Sequence, residues 1–297
     1  MSRSSRQVRF ANVLRETGRT LITLGILVLL FAGYQNWITD TTQHRSQSAL
    51  QQEVTKVITG KPVTSVVGPK TPLSTTKDPG VGHWLGLITI PTIGLNQVIV
   101  NGTDKTQLQL GPGHYIGTAM PGEAGNVGIA GHRTTWGRPF RNLDKLHEGD
   151  RIFITTPRAA VMYRIVWIKI VQPDDVSVVA PTSVPSLTLT TCNPPYSAAT
   201  RLVVRAELGA VGKIRTDTPT WTVTEKQSSP LLKAHGDYPK WPVLLYGLLL
   251  ALILIMGERL RRRTTRPVVA ILLVLLLVLP ITLLWFNAIA HVLPAGI

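Results

Sequence analysis

The sequence predicts an all-β domain, closed as a barrel, carried between one N-terminal and two C-terminal transmembrane helices. Three observations support that reading. Short β-rich runs alternate with Gly, Pro, Asn and Asp turns between Gly82 and Leu208. One long apolar run precedes this stretch and two follow it. Arginine clusters border those apolar runs.

The chain has 297 residues and a formal net charge of +15. Charge of that size would suggest nucleic acid if it were gathered on the folded domain. Instead Arg3, Arg6, Arg9, Arg15 and Arg19 outnumber Glu16 before the first apolar run. Arg259, Arg261, Arg262, Arg263 and Arg266 outnumber Glu258 between the last two. Such clusters mark cytoplasmic flanks, so about half of the excess charge reflects membrane orientation. No nucleic-acid partner is expected.

Residues 1–19 read as a cytoplasmic basic tail and residues 20–38 as the first span, with Tyr34 and Trp37 where amphipathic rings favour the interface. No A-x-A cleavage site follows, so this segment is read as an uncleaved anchor rather than a signal peptide. Residues 241–257 form the second span, 258–266 a cytoplasmic basic loop, 267–287 a third span carrying Pro280, and 288–297 a short extracytoplasmic tail. The last two spans also suit a helical hairpin that packs without fully crossing. The expected protein is a multi-pass protein of the cell membrane, in contact with lipid, whose domain is extracytoplasmic.

Residues 39–81 are rich in Thr, Gln, Ser and Lys, with Pro62, Pro69, Pro72 and Pro79, and read as a stalk. As coil, the stretch would span on the order of 35 Å. Leu50, Val54, Val57 and Ile58 fall at helical spacing, so a short amphipathic helix is allowed within it. Residues 209–240 read as a second stalk, which would tether the domain at two points.

Residues 82–208 form the domain itself. Strands are expected at Trp84–Ile90, Gln97–Val100, Asn126–Ala130, Arg151–Thr155, Met162–Val171, Leu187–Cys192 and Leu202–Leu208, with a weak helix at Lys105–Leu110. This spacing suits a barrel or a sandwich, and the barrel is preferred because closure removes exposed edges.

The domain's chemistry centres on Ser186–Arg205, two strand-like arms around a proline-braced corner that holds the chain's one cysteine, Cys192. Pro194 and Pro195 fix the backbone beside it. A thiol with a pKa near about 8.5 is mostly protonated at neutral pH, so a nucleophilic cysteine needs a base or cation close by. Among the extracytoplasmic histidines, His44 and His235 lie in the stalks and His147 in a polar turn. His83 and His114 suit structural hydrogen bonding. His132 instead follows a glycine at the end of the apolar strand Val127–Ala130, where a loop can present it beside another strand's end. No metal-ligand spacing is visible, and no cofactor is required.

NVGIAGHRTTWGRPFRNLDKLHEGDRI followed by LTLTTCNPPYSAATRLVV closely resembles the sortases, membrane-anchored cysteine transpeptidases of Gram-positive bacteria. GPGHYIGTAMPGEAGNVGIAGHR and TLTTC look most like class E. The resemblance implies an eight-stranded β-barrel, with Cys192 as nucleophile, His132 as acid/base and Arg201 as the positive group near the substrate carbonyl. It further implies surface proteins with a C-terminal LAxTG- or LPxTG-like sorting signal as substrates, cut between Thr and Gly. The acceptor would be an amine on a cell-wall precursor or a pilin. Thr191 and Trp136 are candidates for lining the signal's groove, Trp136 standing where a tyrosine is usual. Pilus polymerisation is the alternative activity, although Lys77-Asp78-Pro79-Gly80 lacks the aromatic residue of a pilin-class lid. A non-catalytic binding barrel is the alternative of a different class.

Overall fold

The computed structural model describes residues 3–58, 63–67, 78–214, 240–263 and 267–292. The chain divides into two units, Met1–Ile38 with Tyr238–Leu293, and Thr39–Asp237 with Pro294–Ile297. The elements in order are α1 (Arg3–Ile58), β1 (Val63–Val67), β2 (Trp84–Ile90), β3 (Leu95–Asn101), α2 (Lys105–Leu110), β4 (Gly113–His114) and β5 (Asn126–Ala130). Then follow β6 (Arg151–Thr155), β7 (Ala159–Val171), β8 (Ser186–Asn193), β9 (Thr200–Ile214), α3 (Trp241–Arg263) and α4 (Pro267–Val292).

In the second unit the strands run β9-β7-β6-β2-β3-β4-β5-β8, and β8 pairs back onto β9. The result is a closed eight-stranded barrel. Long β9 makes closure possible, since one edge lies along β7 while the other takes β8 from Thr200 to Glu207 and β1 from Val211 to Ile214. Alternation explains the inside. Ala159, Val161, Tyr163 and Ile165 of β7 face inward, and Ile88, Ile99, Ile129, Ile154, Leu187, Leu189 and Val204 complete the core. Each Ile, Leu and Val among them contributes about 2 kcal/mol through burial.

The structure adds elements that the sequence pattern does not show. β4 has only two residues, and its strand character comes from its neighbours β3 and β5 rather than from any pattern of its own. β9 runs past Leu208 to Ile214, and β1 pairs with that extension from within the expected first stalk. Up to Ile58 that stretch is the end of α1, so the short helix allowed there by the apolar spacing is part of a longer one. Val54 packs with Trp84 and Val98, joined by Leu50, Val57 and Ile58, so the apolar stripe read from the sequence covers the sheet. Gln47 completes the packing. Its Oε1 accepts from the Val98 backbone N at 2.8 Å, and its Nε2 donates to the carbonyls of Val98 at 3.1 Å and Leu110 at 2.8 Å. β2 pairs with Val98 on one side of β3, but short β4 does not reach it on the other, and the glutamine amide satisfies that edge instead. Pro62, Pro69 and Pro72, and the second stalk from residue 215 to 239, lie outside the described residues.

In the first unit α3 and α4 pack antiparallel. A Cβ on Gly257 would come within 2.6 Å of Val274, and one on Gly247 within 3.2 Å of Trp285. Trp285 donates its indole N–H to the Val243 carbonyl at 2.9 Å. Phe31 and Tyr34 of α1 pack edge-on against Phe286, and Tyr34 donates to Asn287. Among the described residues one helix is long and apolar enough to cross a membrane, over Leu21–Ile58. The other apolar stretches are shorter, Trp241–Gly257 and Leu276–Ile289.

Candidate active site

The parallel pairing of β5 with β8 builds the site. In register Ala130 lies beside Thr190. One residue further, the Gly131 N–H donates to the Thr190 carbonyl at 3.1 Å, and the Thr191 hydroxyl donates to the Gly131 carbonyl at 2.7 Å. The next residue on each chain is His132 and Cys192. Antiparallel β8–β9 pairing then sets Cys192 opposite Arg201 and Asn193 opposite Thr200. His132, 60 positions away in the sequence, thus shares one end of the barrel with Cys192 and Arg201, because parallel strands deliver both of their C-terminal ends to the same side.

Gly131 is required by close approach. A Cβ there would stand 2.6 Å from the buried Phe140 ring, whose own backbone N–H donates to the His132 carbonyl at 3.0 Å. His132 is therefore fixed from both sides. Its ring is buried, and among the described residues Nε2 has no hydrogen-bond partner. Burial, with a smaller contribution from the charge of Lys105, lowers the imidazole from 6.5 to about 4. At neutral pH the ring is accordingly neutral, and one of its nitrogens is an unprotonated acceptor.

This depression ties stability to pH. Between about 4 and 6.5 the unfolded chain holds a proton on His132 that the folded chain refuses, so stability falls as pH drops through that window, by about 3 kcal/mol from this residue. Buried His114, also lowered by desolvation, acts in the same direction. Urea melts at pH 7 and pH 4.5 should show the loss in wild type and a smaller loss in His132→Gln.

Cys192 is a free, partly exposed thiol. Arg201 donates through Nη1 to the carbonyls of Ala198 at 3.1 Å and Thr200 at 3.2 Å, inside its own corner. Those bonds anchor the guanidinium and leave Nε and Nη2 as further donors. Thr191 is buried with its hydroxyl committed to Gly131, so it clasps β5 to β8. Trp136 is partly exposed in the loop after His132, at φ 52°. The Asn193–Pro194 bond at the corner is cis.

Sequence reasoning missed Arg133. Its side chain is 4% exposed and pairs with Asp144 at 3.3 Å. Nη1 donates to Asn193 Oδ1 at 2.6 Å and to the Cys192 carbonyl at 3.3 Å, so one guanidinium ties the histidine loop to the cysteine's backbone. Asn193, assigned no role from sequence, also donates to the Thr200 hydroxyl at 3.0 Å. The available signal was a cation directly following the strand-end histidine. Arg133→Met leaves Asp144 solvated, and removing the charged bonds costs about 2–3 kcal/mol. Steady-state assays should show turnover reduced about 10- to 100-fold with KM little changed, and Arg133→Lys, lacking the planar fork, should not restore it.

Comparison with known proteins places this chain in a family. The Sortase domain model matches residues 88–209. Sortase SrtE1 of Streptomyces coelicolor is 35% identical over 210 residues, covering 64% of this chain and 55% of that protein, so the chain spans about half of that relative's length. Sortase D of Bacillus subtilis is 32% identical over 172 residues, covering 56% of this chain and 84% of that one. The structure of sortase E from Streptomyces avermitilis is 33% identical, covers 48% of this chain and 98% of that chain, and has a TM-score of 0.43. The chain belongs to the sortase family, with class E-like relatives among its matches.

Proposed function

We propose that this chain is a cysteine transpeptidase in which Cys192 is the nucleophile, His132 the acid/base and Arg201 the cationic donor. The observation that carries the proposal is the strand register, which brings the ends of β5, β8 and β9 together around a free thiol. Cys192 sulfur attacks the carbonyl carbon of a substrate threonine while the neutral His132 ring takes the thiol proton. The oxyanion that forms is met by guanidinium N–H groups of Arg201. Collapse breaks the Thr–Gly bond, and His132 returns its proton to the departing glycine amine. The thioester is then attacked by an acceptor amine, whose proton passes to His132 and back to the Cys192 sulfur.

The substrate is a surface protein with a C-terminal LAxTG- or LPxTG-like signal, and the acceptor is a cell-wall amine. Pilus polymerisation fits less well. Asp78 of the Asp-Pro turn accepts from Gly80 N at 2.7 Å and from Asn101 Nδ2 at 2.6 Å, so it is engaged with the start of the barrel. The arginine clusters and the exposed leucines of α1, α3 and α4, including Leu29, Leu248 and Leu276, favour a membrane setting in which the barrel lies outside the cell.

The test is incubation of the full chain in detergent with an LAxTG peptide, with and without an amine. A Thr-linked amine product, formed faster than hydrolysed peptide, supports transpeptidation. Cleavage indifferent to amine would make the protein a peptidase, and no cleavage of any LAxTG or LPxTG peptide would remove the enzymatic reading.

A further inference from the structure

Helix α1 reaches the loop that leaves His132. Asp40, buried at 7% exposure, accepts from the Gly137 backbone N–H at 2.9 Å and forms an ion pair with the Arg138 guanidinium. One turn later Gln43, fully buried, fills the space where a Cβ on Gly137 would sit, and its Nε2 donates to Gln97 Oε1 at 3.1 Å. The helix therefore holds the loop through a carboxylate and through shape.

The segment held in this way is conformationally costly. Trp136, Gly137 and Arg138 have φ of 52°, 72° and 49°, three successive residues in the left-handed region, two of them with a Cβ. Each non-glycine residue there costs on the order of 1 kcal/mol or more and persists only where surrounding contacts impose it. The turn is closely linked to the site. Arg138 N–H donates to the Thr135 carbonyl at 3.1 Å, and Phe140 N–H donates to the carbonyl of His132 itself.

We infer that Asp40 is a positioning residue, by which α1 holds the 136–138 turn in its left-handed form and so fixes the seat of Trp136 and the backbone of His132. The catalytic part of this inference rests on the proposed role of His132. The clamp itself does not. Asp40 lies just beyond the apolar run that ends at Ile38, in a segment whose polar composition gave no hint of a link to the site.

The experiment compares the full chain in detergent micelles, as wild type, Asp40→Ala, Asp40→Glu and Arg138→Ala. Hydrogen exchange of peptides covering residues 132–141 is read beside kcat and KM with a sorting-signal peptide. Arg138→Ala breaks the ion pair without touching α1, which covers the case of a misfolded helix variant. The expected result is exchange in this loop at least about tenfold faster in Asp40→Ala and Arg138→Ala, with β7 and β9 unchanged. Turnover should fall about tenfold, since small displacements of a catalytic group are costly, and Asp40→Glu should recover part of both effects. Unchanged loop exchange would overturn the clamp. Faster exchange with kcat and KM within twofold of wild type would overturn the positioning role. If wild type itself transfers nothing while loop exchange still responds to Asp40→Ala, the proposed reaction falls and the clamp stands.

Discussion

Cys192→Ala should abolish transfer, lowering turnover by on the order of 10⁴-fold or more, because the chain has one cysteine and alanine leaves no thiol to form the acyl intermediate. The effect is chemical rather than structural. Residue 192 is partly exposed at the end of β8, and the ladder to β9 depends on backbone atoms that alanine keeps. Chromatographic assay of the Thr-linked product should find none above background, while circular dichroism and the melting temperature stay near wild type. Retained turnover in this variant would exclude Cys192 as nucleophile.

Arg201→Ala should be the next most damaging change, reducing kcat/KM by about 10²- to 10³-fold through loss of a preorganised donor to the developing oxyanion. Arg201 lies opposite Cys192 in the strand register, and its bonds to the Ala198 and Thr200 carbonyls hold the guanidinium at the corner, which suits the proposed role. Arg201→Lys keeps the charge but not the planar array of donors, so it should recover little activity. A lysine variant close to wild type would reduce the role of Arg201 to charge alone. A large rise in KM at constant kcat would reassign it to substrate binding.

The legible parts of the fold were those with local pattern. β2, β5 and β6 fall where alternation and turn residues put them, and so does the short helix α2. β4 escaped because two residues carry no period, and β1 because VTSVV sits in a proline-rich polar stretch and is a strand only by pairing with β9. The apolar stripe of Leu50, Val54, Val57 and Ile58 was visible in α1. Its continuation through Asp40, Gln43 and Gln47 was not, because those residues act through hydrogen bonds to partners distant in the chain. The same distinction separates His132, legible at a strand's end, from Arg133, whose contact with Asn193 exists only because β5 and β8 run parallel.

If Cys192 carries the acyl group, intact-mass spectrometry should catch it on the protein. Full-length chain is incubated with an LAxTG peptide without amine, quenched in acid and weighed, and the modified peptide is then mapped. The expected result is a mass gain equal to the acyl part of the signal peptide through its threonine, located on Cys192 and lost when amine is added before the quench. An adduct that persists in Cys192→Ala, or cleavage of the signal with no adduct at any time point, would contradict it.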